Sequence, residues 1–137
     1  MVCAFLPMDG DINHGLDLFN RAHFYDAHEV LEDAWRSIPR DEPLRRHLRL
    51  HIQGMVQLAV AFHHQTTGNH VGARSVLERA LRNLNGAENS FPNLDLERLR
   101  TDLAPWRRYL DDCRMAVERR EGRVPAAPAL PKIMLRS

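Results

Sequence analysis

The stretch Ala22-His23-Phe24-Tyr25-Asp26-Ala27-His28-Glu29-Val30-Leu31-Glu32-Asp33-Ala34-Trp35 decides the fold. Its plan returns forty-six residues later as Gly68-Asn69-His70-Val71-Gly72-Ala73-Arg74-Ser75-Val76-Leu77-Glu78-Arg79-Ala80-Leu81. Five of the fourteen pairs are identical: Ala27/Ala73, Val30/Val76, Leu31/Leu77, Glu32/Glu78 and Ala34/Ala80. In both copies apolar residues recur every three or four positions, the period of a helix lying on a core. Ala22 and Gly68 are small enough to make the entering turn, Ala27 and Ala73 let a neighbouring helix approach, and Leu31 and Leu77 fill the seam. Two helical hairpins on one plan are expected.

Working outward, the same period holds from Asp11 to Gly122, where Gly and Pro are sparse and no strand pattern competes. A first helix is expected from about Asp11 to Arg21. A second follows from Phe24 to Ile38, ended by Pro39, because the residue before a proline is pushed out of the α region. Asp41 or Glu42 can cap a third, with Pro43 in its first turn and Gly68 at its close. At about 24 residues and 1.5 Å per residue it would be about 36 Å long, the longest element. Leu50, Ile52, Met55, Val56, Leu58, Val60 and Phe62 leave it no wholly polar face, so it belongs at the centre.

A fourth helix is expected over about His70 to Asn85, capped by Asn69 and stopped by Gly86. A short one follows near Asp95 to Leu103, and a last one begins at Pro105 and runs to about Glu121. The fold class is therefore all-α, a compact bundle of five to six helices built from two pseudo-repeated hairpins around a central long helix. Two hairpins are too few to bury the faces of an open solenoid, which favours closure. The organisation is an N-terminal arm (1–10), a helical domain (11–121) and a Pro-rich tail (122–137). The tail is expected to be extended and mobile, with Leu130, Ile133, Met134 and Leu135 able to dock on a groove.

The 137 residues are 44% hydrophobic and 27% charged, the makeup of one globular domain. Nineteen basic and eighteen acidic side chains give a net charge of +1, which argues against a nucleic-acid partner. Eighteen of the nineteen cations are Arg, Lys132 being the exception, and there are eight His. Cys3 and Cys113 have no CxxC spacing, which suits unpaired thiols in a reducing cytoplasm. The start Met1-Val2-Cys3-Ala4-Phe5-Leu6 lacks a basic region and is a poor signal peptide. The apolar run Leu48–Phe62 contains Arg49, His51, Gln53 and Gln57 and is too polar to span a membrane. A soluble cytoplasmic protein is expected.

On a wheel of the second helix, His28 lies at the border of the apolar face beside Trp35, and Glu32 follows one turn later. At i, i+4 they can share a divalent metal, or Glu32 can orient His28 as a base. His-Glu-x-x-Glu differs from the zinc-protease His-Glu-x-x-His in its last residue, so His63 or His64 would have to complete a shell of His28, Glu32 and His63. Gln53, Gln57 and His64 run along one side of the central helix with His63 on the flank. Left unpaired, such groups cost roughly 1–3 kcal/mol each. Arg74 holds in the second hairpin the place His28 holds in the first, and Glu78 matches Glu32. A cluster of His28, Glu32, Arg74 and Glu78 is the sharpest geometric expectation. The groups Arg45-Arg46-Arg49, Arg107-Arg108 and Arg119-Arg120-Arg123 could bind phosphates, but read more readily as solvated faces paired with acids such as Asp41, Glu42, Asp111 and Glu118.

The repeated turn and helix also resemble part of a tetratricopeptide repeat. More specifically, Phe19 to Arg36 with its His28-Glu29-x-x-Glu32-x-x-Trp35 core, followed by Gln53-Gly54, Ala61-Phe62-His63, Gly68-Asn69 and Gly72-Ala73-Arg74, resembles the bacterial and archaeal family called domain of unknown function 309. The resemblance covers about residues 12–85. Ala22 stands where that pattern usually has Gly, and Asp26 where it has Glu. It implies a compact helical fold and assigns no activity.

The functional expectation is a small cytoplasmic domain with a polar pocket that takes a small anionic ligand or a metal and is suited to hydrolysis. His28 and Glu32 are the catalytic candidates, and Gln53, Gln57, His63, Arg74 and Trp35 the ligand-binding ones. The alternative is a non-catalytic protein-interaction module in which the polar cluster is structural. Trp106 and Tyr109 suit either the core or a homodimer interface.

Overall fold

The computed structural model describes residues 9–120, 122 and 125–136. The expected N-terminal arm, with Cys3, falls almost wholly outside the described residues. Among the described residues five α-helices follow one another: α1 (Asp9–Asn20), α2 (Phe24–Arg36), α3 (Arg46–Thr66), α4 (His70–Asn83) and α5 (Leu96–Glu118). Short 3-10 turns at Pro43–Arg45 and Ala87–Asn89 complete the regular structure. Each helix packs on the next, so α3 lies between α2 and α4, with the segment 85–90 against its first half.

The turns follow local chemistry. Ala22 and Gly68 both take positive φ, at 65° and 84°, where the chain doubles back into α2 and α4. Asn69 caps α4 as expected, its Oδ1 accepting from Gly72 N at 2.9 Å. Asp95 does the same for α5, accepting from Arg98 N at 3.0 Å. Glu42 accepts from Leu44 N, and Pro43 opens the 3-10 turn that leads into α3. Equivalent positions of the two hairpins share burial: Ala27 and Ala73, Leu31 and Leu77, and Ala34 and Ala80 are fully enclosed.

Two helix lengths depart from expectation. The separate helices foreseen on either side of Pro105 are one, and at 23 residues α5 exceeds the 21 of α3. Pro105 removes one backbone donor. Both it and Thr101, whose carbonyl loses that partner, face solvent. Water can satisfy the carbonyl there, and Leu99, Leu103, Trp106 and Leu110 still bury one continuous face.

The core is threaded by aromatic rings from four helices. Phe19 of α1 meets Phe24 of α2 edge-on at 5.2 Å, Phe24 meets Phe62 of α3 at 5.5 Å, and Phe62 meets Trp106 of α5 at 4.9 Å. Each such pair adds about 0.5–1.5 kcal/mol beyond its area burial. Trp106 is thus a core residue, and its indole N–H donates to Ala129 O at 3.0 Å.

That bond begins the docking of the Pro-rich segment. Residues 125–136 are extended, as their prolines require, but the segment expected to be mobile is tied down along its length. Asn20 bonds both backbone groups of Ile133, Asp95 N donates to Met134 O, and Arg136 N donates to Asn93 O. Of the four apolar residues expected to dock, Ile133 is buried, while Leu130, Met134 and Leu135 stay exposed.

Candidate functional site

His28 and Glu32 lie one turn apart on α2, a quarter to a third exposed. His28 Nε2 is 3.7 Å from Glu32 Oε1, which also pairs with Arg36 Nη2 at 3.3 Å. The imidazole borders a hollow of about 140 Å³ shared with Tyr25, Val60 and His63. The Tyr25 ring centroid is 5.7 Å from that of His28 and 5.3 Å from that of His63. His28 and His63 thus border one hollow with Tyr25 between their rings. Trp35 is covered by the Arg49 guanidinium, 4.2 Å above its ring, a cation–π contact joining α2 to α3.

The other candidates serve different neighbours. Gln57 Oε1 accepts from Asn83 Nδ2 at 2.7 Å, pinning α3 to α4. Gln53 is half-buried one turn earlier on α3. Arg74 pairs with Glu78 at 2.7 Å and with Asp111 of α5 at 3.2 Å, and Glu78 also takes Arg107 at 2.6 Å. The expected cluster of His28, Glu32, Arg74 and Glu78 is thus corrected: Glu32 bonds within α2, whereas Arg74 and Glu78 face α5. Among the described residues, no three His, Cys, Asp or Glu side chains form a group that could hold a metal ion, so His28, Glu32 and His63 do not make the shell foreseen for them.

A different constellation lies between the first half of α3 and the segment 85–90. His51 is 3% exposed, the one polar or charged residue that is buried among the described residues. Its Nδ1 lies 2.6 Å from Ser90 Oγ, and the Asn85 backbone is close enough to the ring to favour its charged form in part. Burial is the largest influence on this imidazole and lowers its pKa from 6.5, favouring the neutral ring. A neutral ring has one N–H. With that N–H on Nε2, Nδ1 is left to accept the Ser90 hydroxyl proton.

His51 and Ser90 border a cavity of about 540 Å³, with Arg45, His47, Asn85 and Asn89 also on its wall and no carboxylate in its lining. The nearest acid, Glu88, is engaged elsewhere. Arg100 grips both of its oxygens and also donates to Leu84 O at 2.9 Å. That bidentate bond holds the Glu88 carboxyl down at about 2. Sequence reasoning passed over His51 because it sits inside an apolar run and its partner is 39 residues away. The one available signal was a lone His between Leu50 and Ile52 on a helix expected to be buried all round.

Cys113 is buried and free. It hydrogen-bonds Tyr109 and, together with burial, raises that phenol's pKa. Among the described residues no helix is long and apolar enough to cross a membrane.

Two curated relatives are similar to this chain, both of them uncharacterised. A protein of Aquifex aeolicus (strain VF5) is 28% identical over 85 residues, covering 62% of this chain and 24% of that protein. The Bacillus subtilis (strain 168) protein YpuF is 29% identical over 74 residues, covering 54% of this chain and 40% of that protein. The chain thus spans a quarter to two fifths of the length of these relatives. Residues 12–76, from the start of the α1 core face to Val76 in α4, match the family described as "Domain of unknown function (DUF309)". That match covers just under half of the chain, and the all-helical packing of the described residues agrees with the compact helical fold the resemblance implies.

Proposed function

We propose that this domain binds a small anionic ligand, in the cytoplasm, at the cavity between α3 and the segment 85–90. One observation carries the reading: a space of about 540 Å³ is walled by Arg45, His47, His51, Asn85, Asn89 and Ser90 with no carboxylate among its lining residues. That volume is within the range of small-molecule sites, which use few polar groups to fix orientation. Arg45 supplies a permanent cation, and His47, Asn85 and Asn89 supply further polar contacts. Calorimetric titration with inorganic phosphate and with citrate is the test. Saturable heat that weakens about tenfold in Arg45→Ala, about 1.4 kcal/mol, supports the reading. Absence of heat from both anions overturns it.

A second reading, a non-catalytic interaction module, is supported by other observations. Arg74 and Gln57 are spent on Glu78, Asp111 and Asn83. The matched segment also forms only part of longer relatives. Under this reading Arg74→Ala and Gln57→Ala lower thermal stability, neither anion gives heat, and a partner protein or a second copy of the chain is the ligand. Sedimentation of the purified chain over a concentration series tests the homodimer first.

A further inference from the structure

The floor of the cavity carries more than binding requires. Anion binding needs donors, and Arg45, His47, Asn85 and Asn89 supply them. It does not need a serine hydroxyl set against a nearly solvent-free imidazole. At 2.6 Å, Ser90 Oγ and His51 Nδ1 are at the distance of a nucleophile and its base, and burial in the wall of α3 holds the ring in place. Ser90 and His51 both border the space in which a substrate would sit. Together these are three elements of an acyl-transfer site: a nucleophile, an oriented base and room for the reacting carbon.

We propose that Ser90 is a nucleophile and His51 its general base, acting on a small ester that carries a carboxylate. The inference rests on the anion-binding reading of the same cavity. Ser90 Oγ attacks the ester carbonyl carbon while its proton passes to His51 Nδ1. The bond from that carbon to the alcohol oxygen breaks, and the departing alkoxide takes the proton from His51. Water then attacks the acyl-Ser90 with His51 again accepting a proton, releasing the free acid and restoring the hydroxyl. The substrate's own carboxylate is met by Arg45 and His47. Amides are a poor fit, because no carboxylate lines the cavity beside His51 and Glu88 is held by Arg100. A transient imidazolium is therefore weakly supported, which suits the better leaving group of an ester.

The test uses the full chain with mono-p-nitrophenyl succinate and, separately, diisopropyl fluorophosphate, followed by intact mass and peptide mapping. The expected result is p-nitrophenolate release with one adduct on the peptide containing Ser90. Ser90→Ala should abolish the adduct, and His51→Gln should slow acylation about 100-fold, the size of a general-base contribution. Ser75→Ala, on the exposed side of α4, should react as the unaltered chain does. If His51→Gln fails to fold, the pH profile of the unaltered chain takes its place. Acylation should then fall as the ring protonates below its ordinary value, with His47 and Glu88 the charged groups facing it. A flat profile, wild-type reactivity in Ser90→Ala, or an adduct elsewhere overturns the proposal. Phosphate or citrate binding that persists without an adduct overturns acyl transfer alone, whereas loss of both overturns the pocket itself.

Discussion

Asn20 and Ile133 exchange two hydrogen bonds across 113 residues of chain: Asn20 Nδ2 donates to Ile133 O at 3.0 Å, and Ile133 N donates to Asn20 Oδ1 at 2.8 Å. One side chain at the end of α1 thereby adds a rung on one edge of an extended segment whose other backbone groups pair with residues 93–95 through an antiparallel bridge at Leu94 and Leu135. Asn20→Ala removes both partners and should cost about 1–2 kcal/mol. Ile133→Ala, at a residue 3% exposed, should cost about 2–4 kcal/mol through lost burial and the space left behind. Thermal unfolding reads the stability, and limited proteolysis should show cleavage moving into residues 125–136 in both variants. Unchanged cleavage would mean the segment is held by something other than this pair.

Ala22 occupies a backbone conformation that a Cβ disfavours, with φ at 65°. Relieving that strain outweighs the greater chain entropy of a glycine, so Ala22→Gly should stabilise by about 0.5–1 kcal/mol. The reciprocal change, Gly68→Ala, meets no atom within 4 Å, and its cost of about 1 kcal/mol is conformational alone. Opposite shifts in Tm, of about 2–5 °C each, are the expected pair of results. A lower Tm for Ala22→Gly would remove strain from the account of this turn.

Two groups link stability to pH, and both signs point the same way. Burial, the dominant influence on His51, depresses its folded pKa below 6.5. The unfolded chain therefore takes up this proton first, and stability falls as pH drops below about 6.5 until the folded ring also protonates. Glu88 is held at about 2, against 4.5 ordinarily, chiefly by its hydrogen bonds with Arg100. Its contribution is whole above 4.5 and disappears as pH falls toward 2. The Glu88 side chain is 44% exposed, so solvent screening limits that contribution to about 1 kcal/mol or less. Tm should thus decline in two stages on acidification. His51→Gln should flatten the first and Glu88→Gln the second. A profile for His51→Gln that still falls between about pH 6.5 and 5 would assign the first stage to another group.

What was legible in the sequence was local. The turns at Ala22 and Gly68, the Asn69 cap and the enclosed Ala27, Leu31, Ala73 and Leu77 all follow from spacing and residue size, whereas the positive φ of Ala22 does not. Pro105 misled because the exclusion of proline from helices is a finite cost, and an exposed face on a long amphipathic helix can bear it. The pairs that matter most join distant segments: Arg74 with Asp111, His51 with Ser90, Asn20 with Ile133. Periodicity places each residue on a face of its own helix but does not say which helix comes to meet it. Arg74 therefore looked like a partner for His28, when the acids of α5 were the nearer charge.

Glycines inside helices separate propensity from packing. Replacing an interior helical glycine by alanine gains roughly 1 kcal/mol of helix propensity where there is room. At Gly54 there is none: an added Cβ would lie 2.9 Å from Leu84 Cγ and 3.2 Å from the Asn83 carbonyl carbon. Leu84 is buried and cannot swing into solvent, and Asn83 is tied to Gln57 one turn away on α3, so the end of α4 must move instead. Overpacking of this kind costs about 1–3 kcal/mol. Gly54→Ala should therefore destabilise by about 1–2 kcal/mol net, a fall of about 4–8 °C in Tm. Gly10→Ala, in the first turn of α1 with no atom within 4 Å of the new methyl, should raise Tm by about 1–3 °C. The same substitution is thus expected to change sign between two helices. If Gly54→Ala proved neutral or stabilising, the close approach of α3 and α4 would not be what glycine is needed for at that position.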